Sequence, residues 1–247
     1  MISAFVITYN SERYLKRCLS SISFADEIIV VDSNSTDSTI NIAKHFNAKT
    51  INIEFVGFSE KKEFAKRQCK YEWILNIDAD EYLPKETKEE ILRVIEENKY
   101  DAFSIPFETY FQDRLIKYGR HKNESHIRLF KKEFEYGEEK VHEKIKGSKN
   151  VGRLKNKIIH TPYLNIDNIK EKAIRNAKLA SIDKAKINII ILIFSLFFNP
   201  IFRFFKEYIF LLGFLDKEIG FHLAFNSSKE VFLKYFWGLK KRFSPSS

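Results

Sequence analysis

The sequence predicts an α/β fold: a mostly parallel central sheet with flanking helices, followed by a helical C-terminal region. Three observations carry this reading. Short apolar runs alternate with amphipathic stretches through residue 99, the β-α-β-α pattern of a parallel sheet covered on both faces. Polar clusters fall where three of the runs end: Thr8-Tyr9-Asn10, Asp32-Ser33-Asn34-Ser35 and Asp78-Ala79-Asp80-Glu81. Composition then changes. Residues 1–152 carry 25 Lys/Arg against 26 Asp/Glu, whereas residues 153–247 carry 17 against 7, a net charge of +10. The chain therefore reads as an α/β domain over residues 1–163 and a basic, Phe-rich helical region over residues 164–247.

"ISAFVIT" is the first strand. Asn10 or Ser11 caps a helix with Tyr14, Leu15, Cys18, Leu19 and Ile22 on one face. "EIIVV" is the second strand, and Ser35 or Thr36 caps the helix "TINIAKHF". "KTINI" is the third strand, "SEKKEFAKRQCK" a helix and "WILNI" the fourth strand. "PKETKEEILRVIEENK" opens with Pro84 in its first turn and turns Ile91, Leu92 and Ile95 inward. From Asp101 the segments "DAFSIPFETYF", "RLIKYG", "HIRLFKK" and "NKIIHTPY" read as shorter strands of a mixed region.

A basic helix, "NIKEKAIRNAKLASIDKAK", follows. "INIIILIFSLFFNPIF" then runs sixteen residues without a charge, with Asn199-Pro200 interrupting its end. That is short for a spanning helix, which needs about 18–20 residues. Thirteen of the 24 Phe lie between Phe194 and Phe243. Arg203 and Lys206 flank the apolar run, so the region reads as an element lying on an anionic membrane surface. The plain alternative is a helix buried against the first domain.

Two cysteines form no disulfide framework, and with no signal peptide visible the chain reads as cytoplasmic, peripheral on the inner face of the cell membrane. There is no GxGxxG and no GxxxxGK[ST], which removes the usual support for a dinucleotide site or a P-loop. The neutral first domain argues against a nucleic-acid partner.

In an open α/β sheet, ligands bind outside the carboxyl ends of the strands. Two Asp one residue apart, Asp78 and Asp80, suit a hard divalent cation, Mg²⁺ or Mn²⁺, which takes oxygen ligands and keeps places for phosphate and water. The plain reading is a solvated loop, with Glu81 merely starting the next helix. Asp32 is placed to accept hydrogen bonds from a ribose or base, Thr8 and Asn10 add polar groups, and Lys62 is placed to reach a diphosphate.

"FVITYNSERYLKRCLSSI", "EIIVVDSNSTDST" and "KKEFAKRQCKYEWILNIDADEYL" resemble the successive motifs of family 2 glycosyltransferases, which have the GT-A fold. "IRLFKK", "KVHEKI" and "GFLDKEIGF" resemble the subgroup that adds sugars to the lipopolysaccharide inner core, typified by β-1,4-glucosyltransferases. The resemblance implies a metal-dependent, inverting transfer from a nucleotide-sugar donor to a glycolipid acceptor. It places Thr8, Tyr9, Asn10 and Asp32 on the nucleotide, and Lys62 at a basic position before the metal motif. Asp78 and Asp80 match the D-x-D motif, with Asp80 the direct metal ligand. It assigns the general base to Glu143. Ser33 stands where the wider family commonly has a second Asp, and Glu63 where the subgroup often has Asn. His142 and His160 are candidate metal or diphosphate contacts or structural histidines. Arg128 binds acceptor phosphate or pairs with an acid.

Three other readings compete. Polyprenyl-phosphate glycosyltransferases often carry clear spanning helices. Nucleotidyltransferases of related fold usually have a G-x-G-x-R loop where this chain has "TYNSER". A non-enzymatic basic module would bind membrane or nucleic acid without a sugar nucleotide.

Overall fold

The computed structural model describes residues 1–55, 57–137, 145–146, 150–185 and 187–243. In chain order the elements begin β1 (Ile2–Thr8), α1 (Glu12–Ser21), β2 (Glu27–Asp32), α2 (Thr39–His45), β3 (Lys49–Asn52), α3 (Phe58–Gln68), β4 (Trp73–Asp78), β5 (Glu81–Tyr82), α4 (Lys85–Glu97) and β6 (Ala102–Phe111). They continue with β7 (Arg114–Leu115), β8 (Ser125–Lys131), β9 (Glu135–Tyr136), β10 (Ile145–Lys146), β11 (Val151–Arg153), β12 (Ile158–Tyr163), α5 (Ile166–Lys184), α6 (Ile189–Phe205) and α7 (Lys217–Phe243). Two units result: Met1–Glu108 with Asn123–Pro162, and Thr109–Lys122 with Tyr163–Ser247.

In the first unit, β1 pairs in parallel with both β2 and β4, and β2 with β3. β8 joins β4 antiparallel, and the sheet continues through β6, β12 and β5. Alternate residues of β1 serve two cores, as a strand covered on both faces requires. Ala4 and Val6 pack with Leu15, Leu19 and Ile91 on one side, Phe5 with Ala65 and Phe130 on the other.

Local chemistry departs from the sequence reading in three places. Ser38, not Ser35 or Thr36, occupies the N-cap of α2; Ser35 turns to Asp32, and the Thr36 N–H donates to Asn10 Oδ1 at 2.9 Å. Leu92 is 42% exposed, while Ile91 and Val94 are buried in α4, because a step of about 100° per residue carries position 92 off the inner face. Glu81 lies in β5, not at a helix start, and its backbone pairs with His160 of β12.

The second unit packs α5 and α6 against α7. Its small core joins Phe111, Ile116, Tyr163, Ile169 and Leu223. Here α6 runs through Pro200 and continues as a π turn over Lys206–Phe210. Side chains from α7 steady the proline turn: Ser228 Oγ donates to the Pro200 carbonyl at 2.7 Å, and Tyr235 Oη receives the Asn199 amide at 3.1 Å. The combined helix Ile189–Phe210 has 22 residues, with a mean hydropathy of 1.8 over an 18-residue stretch, long and apolar enough to cross a membrane. The break expected at Asn199-Pro200 is therefore absent. Two glycines let the connection into α7 close: a Cβ on Gly220 would lie 1.8 Å from the Gly213 carbonyl oxygen. Between them, Asp216 accepts the backbone N–H of Lys117 at 3.1 Å and of Tyr118 at 2.9 Å.

The α4 register gives a direct test. Ile91→Ala should destabilise by about 2–5 kcal/mol, as a cavity in a packed core does, and Leu92→Ala by about 1 kcal/mol or less. Urea unfolding of both variants measures the difference; equal losses would mean a different helix face is buried.

Candidate active site

The carboxyl ends of β2, β1 and β4 lie side by side, since Thr8 is in register with Asp32 and Ile7 with Asp78. Each of the three Asp there has different neighbours. Asp32 is buried and held by its own loop: Thr8 Oγ1 donates to it at 2.8 Å, and Ser35 donates from Oγ at 2.5 Å and from its N–H at 2.7 Å. Asn10 and Asn34 follow β1 and β2 in the left-handed region, with φ of 45° and 59°, which Asn tolerates better than most residues. Asn52 fixes the second of these turns, accepting the Asn34 N–H at 3.0 Å and donating its amide back at 2.6 Å. Beside Asp32 opens a cleft of about 370 Å³, lined by Asn34, Ser35, Lys44 and Asn52 among others. Tyr9 is 60% exposed at the same rim.

Asp78 faces two cations. Lys62 Nζ lies 3.0 Å from Oδ1, and Arg128 donates to Oδ2 at 2.7 Å. Arg128 also pairs with Glu81, whose other oxygen accepts the Asp78 N–H at 2.9 Å. Burial pushes the Asp78 carboxyl up, yet Arg128 and Lys62 together outweigh it and hold the group well below the usual carboxylate range. Burial raises Glu81 to about 7; Arg128 opposes that rise and the Asp78 charge adds to it. Arg128 and Lys62 thus turn toward carboxylates, and Arg128 also stacks over Phe107 at 5.4 Å.

Asp80 has a different setting. Its Oδ2 lies 3.4 Å from His160 Nε2, and its side chain is a quarter exposed. Thr161 braces the loop, donating to the Asp80 carbonyl from its N–H at 2.9 Å and its hydroxyl at 3.2 Å. Arg17 of α1 in turn donates to Thr161 Oγ1 at 2.7 Å and lies over the Tyr82 ring at 4.1 Å. The ring of His160 is set edge-on to Phe107, and its buried Nδ1 has no hydrogen-bond partner among the described residues. Among the described residues no three His, Cys, Asp or Glu side chains converge on a metal position. Glu143 and His142 lie outside the described residues.

Lys61, which sequence reasoning passed over for its neighbour, is buried and donates to the Thr8 carbonyl and to Ser33 Oγ, each at 2.7 Å. Burial lowers its ammonium to about 8, with Asp32 pulling the other way. The signal was Ser33: a hydroxyl in place of an acid, beside a Lys-Lys pair, leaves room for one lysine to turn inward. Arg17 and Thr161 carried no signal, since a helix-surface Arg and a strand Thr 144 positions apart declare nothing in sequence.

A family model described as "Glycosyl transferase family 2" matches residues 3–156. The lipopolysaccharide core biosynthesis glycosyltransferase LpsC of Rhizobium meliloti is 28% identical, covering 95% of this chain and 93% of its own. An uncharacterized glycosyltransferase of Rickettsia bellii is 40% identical over 52% of this chain; the match spans 42% of that relative's length. The crystal structure of S. aureus TarS 1-349 in complex with UDP-GlcNAc aligns with a TM-score of 0.52 at 16% identity, covering 98% of this chain and 92% of that one. At that identity the likeness is one of fold.

Lys61 makes stability pH-dependent. Between about 8 and its unfolded value near 10.5 the unfolded chain holds one more proton at this site than the folded chain, so the Lys61 contribution to stability rises with pH across that window. Lys61→Met removes the contribution. The stability of the wild type relative to this variant should grow from pH 8 to pH 10 by about 1–3 kcal/mol, read by urea unfolding. A flat difference would mean that the ammonium titrates as it does in water.

Proposed function

Because the chain belongs to glycosyl transferase family 2, we propose that it moves a sugar from a nucleotide-sugar donor to a hydroxyl of a cell-envelope glycolipid, the lipopolysaccharide core, with inversion at the transferred carbon. The observation that carries this reading is the division of the strand-end carboxylates. Asp32 sits beside an open cleft, Asp78 is locked between Lys62 and Arg128, and Asp80 faces His160. The nucleoside occupies the cleft by Asp32, and Thr8, Tyr9 and Asn10 contact the nucleotide from the adjacent end of β1. The similarity to LpsC over nearly the whole chain supports the acceptor class. UDP-GlcNAc in the TarS complex supports the donor class.

Asp80 and His160 fit a divalent cation, Mg²⁺ or Mn²⁺. Such ions in phosphate-handling sites take one or two protein ligands and complete their shell with water and phosphate oxygens. The carboxylate and imidazole are close, and the cations on Asp78 leave it an orienting role through Arg128 and Glu81. Held there, the cation would supply positive charge against the departing diphosphate. The acceptor oxygen bonds to the anomeric carbon as the bond to the diphosphate oxygen breaks, and Glu143 takes the hydroxyl proton. Arg17 and Thr161 keep the Asp80 loop from shifting while this happens. The basic, Phe-rich second unit brings the enzyme to the anionic inner face of the membrane, where a glycolipid acceptor resides.

Asp80→Asn should lower turnover by at least about 10²-fold while leaving the urea midpoint unchanged, since it removes a ligand charge and little packing. Near-normal transfer by that variant, or full activity in excess EDTA, would remove the metal from the mechanism. Glu143→Gln should reduce turnover by roughly 10²–10⁴-fold with donor affinity intact. If only acceptor affinity falls, Glu143 binds substrate and the base lies elsewhere.

A further inference from the structure

The second unit presents two apolar helix faces that form one surface. The inward stripe of α6 is Leu192, Ser195, Leu196 and Pro200, which packs toward α7. Its outer face is Ile and Phe throughout, with Ile190 76% exposed and Phe202 62%. On α7, Phe221, Phe225, Phe232, Phe236 and Phe243 recur at alternating steps of four and seven residues, which places them along one side of the helix. All five are at least 40% exposed. The faces meet where Phe221 touches Phe204 at 6.0 Å and Tyr208 at 5.8 Å between ring centroids.

We propose that α6 and α7 dock together as a two-helix raft lying in the plane of an anionic bilayer, and that α6 does not cross the bilayer alone. The proposal rests on the functional reading only for its choice of a lipid acceptor. A seam of contacts along both helices argues for a raft. Arg242 donates to the Ile187 carbonyl at 2.6 Å at one end, Asn199 meets Tyr235 midway, and Ser227 donates to Glu207 at 2.7 Å near the other. A spanning α6 would therefore take Lys229, Glu230 and Lys234 of α7 into hydrocarbon, where ionisable groups are costly. Lying flat leaves Glu230 and Lys234, about 120° or more round α7 from the Phe stripe, clear of the hydrocarbon, while Lys229 within the stripe reaches the headgroups at the end of its long stem. Exposed Lys206 and Lys217 near one end, and Lys240 and Arg242 at the other, are placed to reach anionic headgroups. The +10 charge of this region opposes a second copy as the occupant.

The test uses the full chain and vesicles of phosphatidylcholine with or without about 30% phosphatidylserine. Wild type should float with the anionic vesicles, be weakened but not released by high salt, and be released by alkaline carbonate. Phe225→Ser, Phe232→Ser and Phe236→Ser together should weaken binding roughly tenfold or more, with the α6 sequence intact. Trp237 supplies a second readout that needs no variant, because Trp73, the other tryptophan, is 4% exposed in the sheet core. Lipids brominated near the headgroup should quench Trp237 more than lipids brominated at the chain ends. Carbonate-resistant protein, deepest quenching at the chain ends, or wild-type binding by the triple variant would each overturn the raft. So would a dimer, in place of vesicle binding, that the triple variant abolishes. Donor turnover with a soluble acceptor sugar, assayed without vesicles, reports on the glycosyltransferase reading separately: its loss with docking intact counts against that reading alone.

Discussion

The pairing of Arg128 with Asp78 and Glu81 is the constraint on which the rim depends. A guanidinium buried on β8 needs anions, and the Glu81 carboxylate buried on β5, with Asp78 half-buried at the end of β4, needs cations. Lys62 of α3 completes the group, so four elements meet at one cluster of charge. Removing Arg128 would leave Glu81 buried without its guanidinium partner, a loss of about 3–5 kcal/mol in comparable cases. The cluster also separates two acids that look equivalent in sequence. Asp78 faces a lysine and an arginine, whereas one residue later Asp80 points to a histidine on β12. Within this one D-x-D motif the two acids therefore have different partners.

Much of this fold was legible from pattern alone. The four parallel strands, the helices between them and the rim of polar clusters follow from period and from where apolar runs stop. What could not be read were choices that depend on partners far away in sequence. The ion pair between Lys62 and Asp78 is one of these, because nothing near Lys62 in sequence shows that Asp78 turns toward it. Glu81 looked like a helix-starting acid because β5 exists only through pairing with β12. The misreading of Leu92 has another cause: the four apolar residues within five positions of α4, Ile91, Leu92, Val94 and Ile95, spread over about 160° of the helix, wider than a stripe of roughly 100°, and composition alone does not say which is left out.

The proline in α6 runs against a local rule. Pro200 removes one N–H from the helix ladder, which ordinarily ends or kinks a helix. Here the helix continues through the proline, and Ser228 and Tyr235 of α7 bond to the Pro200 carbonyl and the Asn199 amide beside it. The same contacts tie α6 to α7.

The capping of Lys117 and Tyr118 by Asp216 spans 99 and 98 positions, and this affects how the chain can be made. A ribosome releases residues 109–122 well before it has built the acid that fixes them, so this stretch waits with its backbone donors in water while α5 and α6 are translated. The second unit therefore cannot close from its own early residues. A chain cut after β12 would not be an isolated first domain. It would carry a severed strip of the second, including Phe111 and Ile116, whose core partners Ile169 and Leu223 are missing.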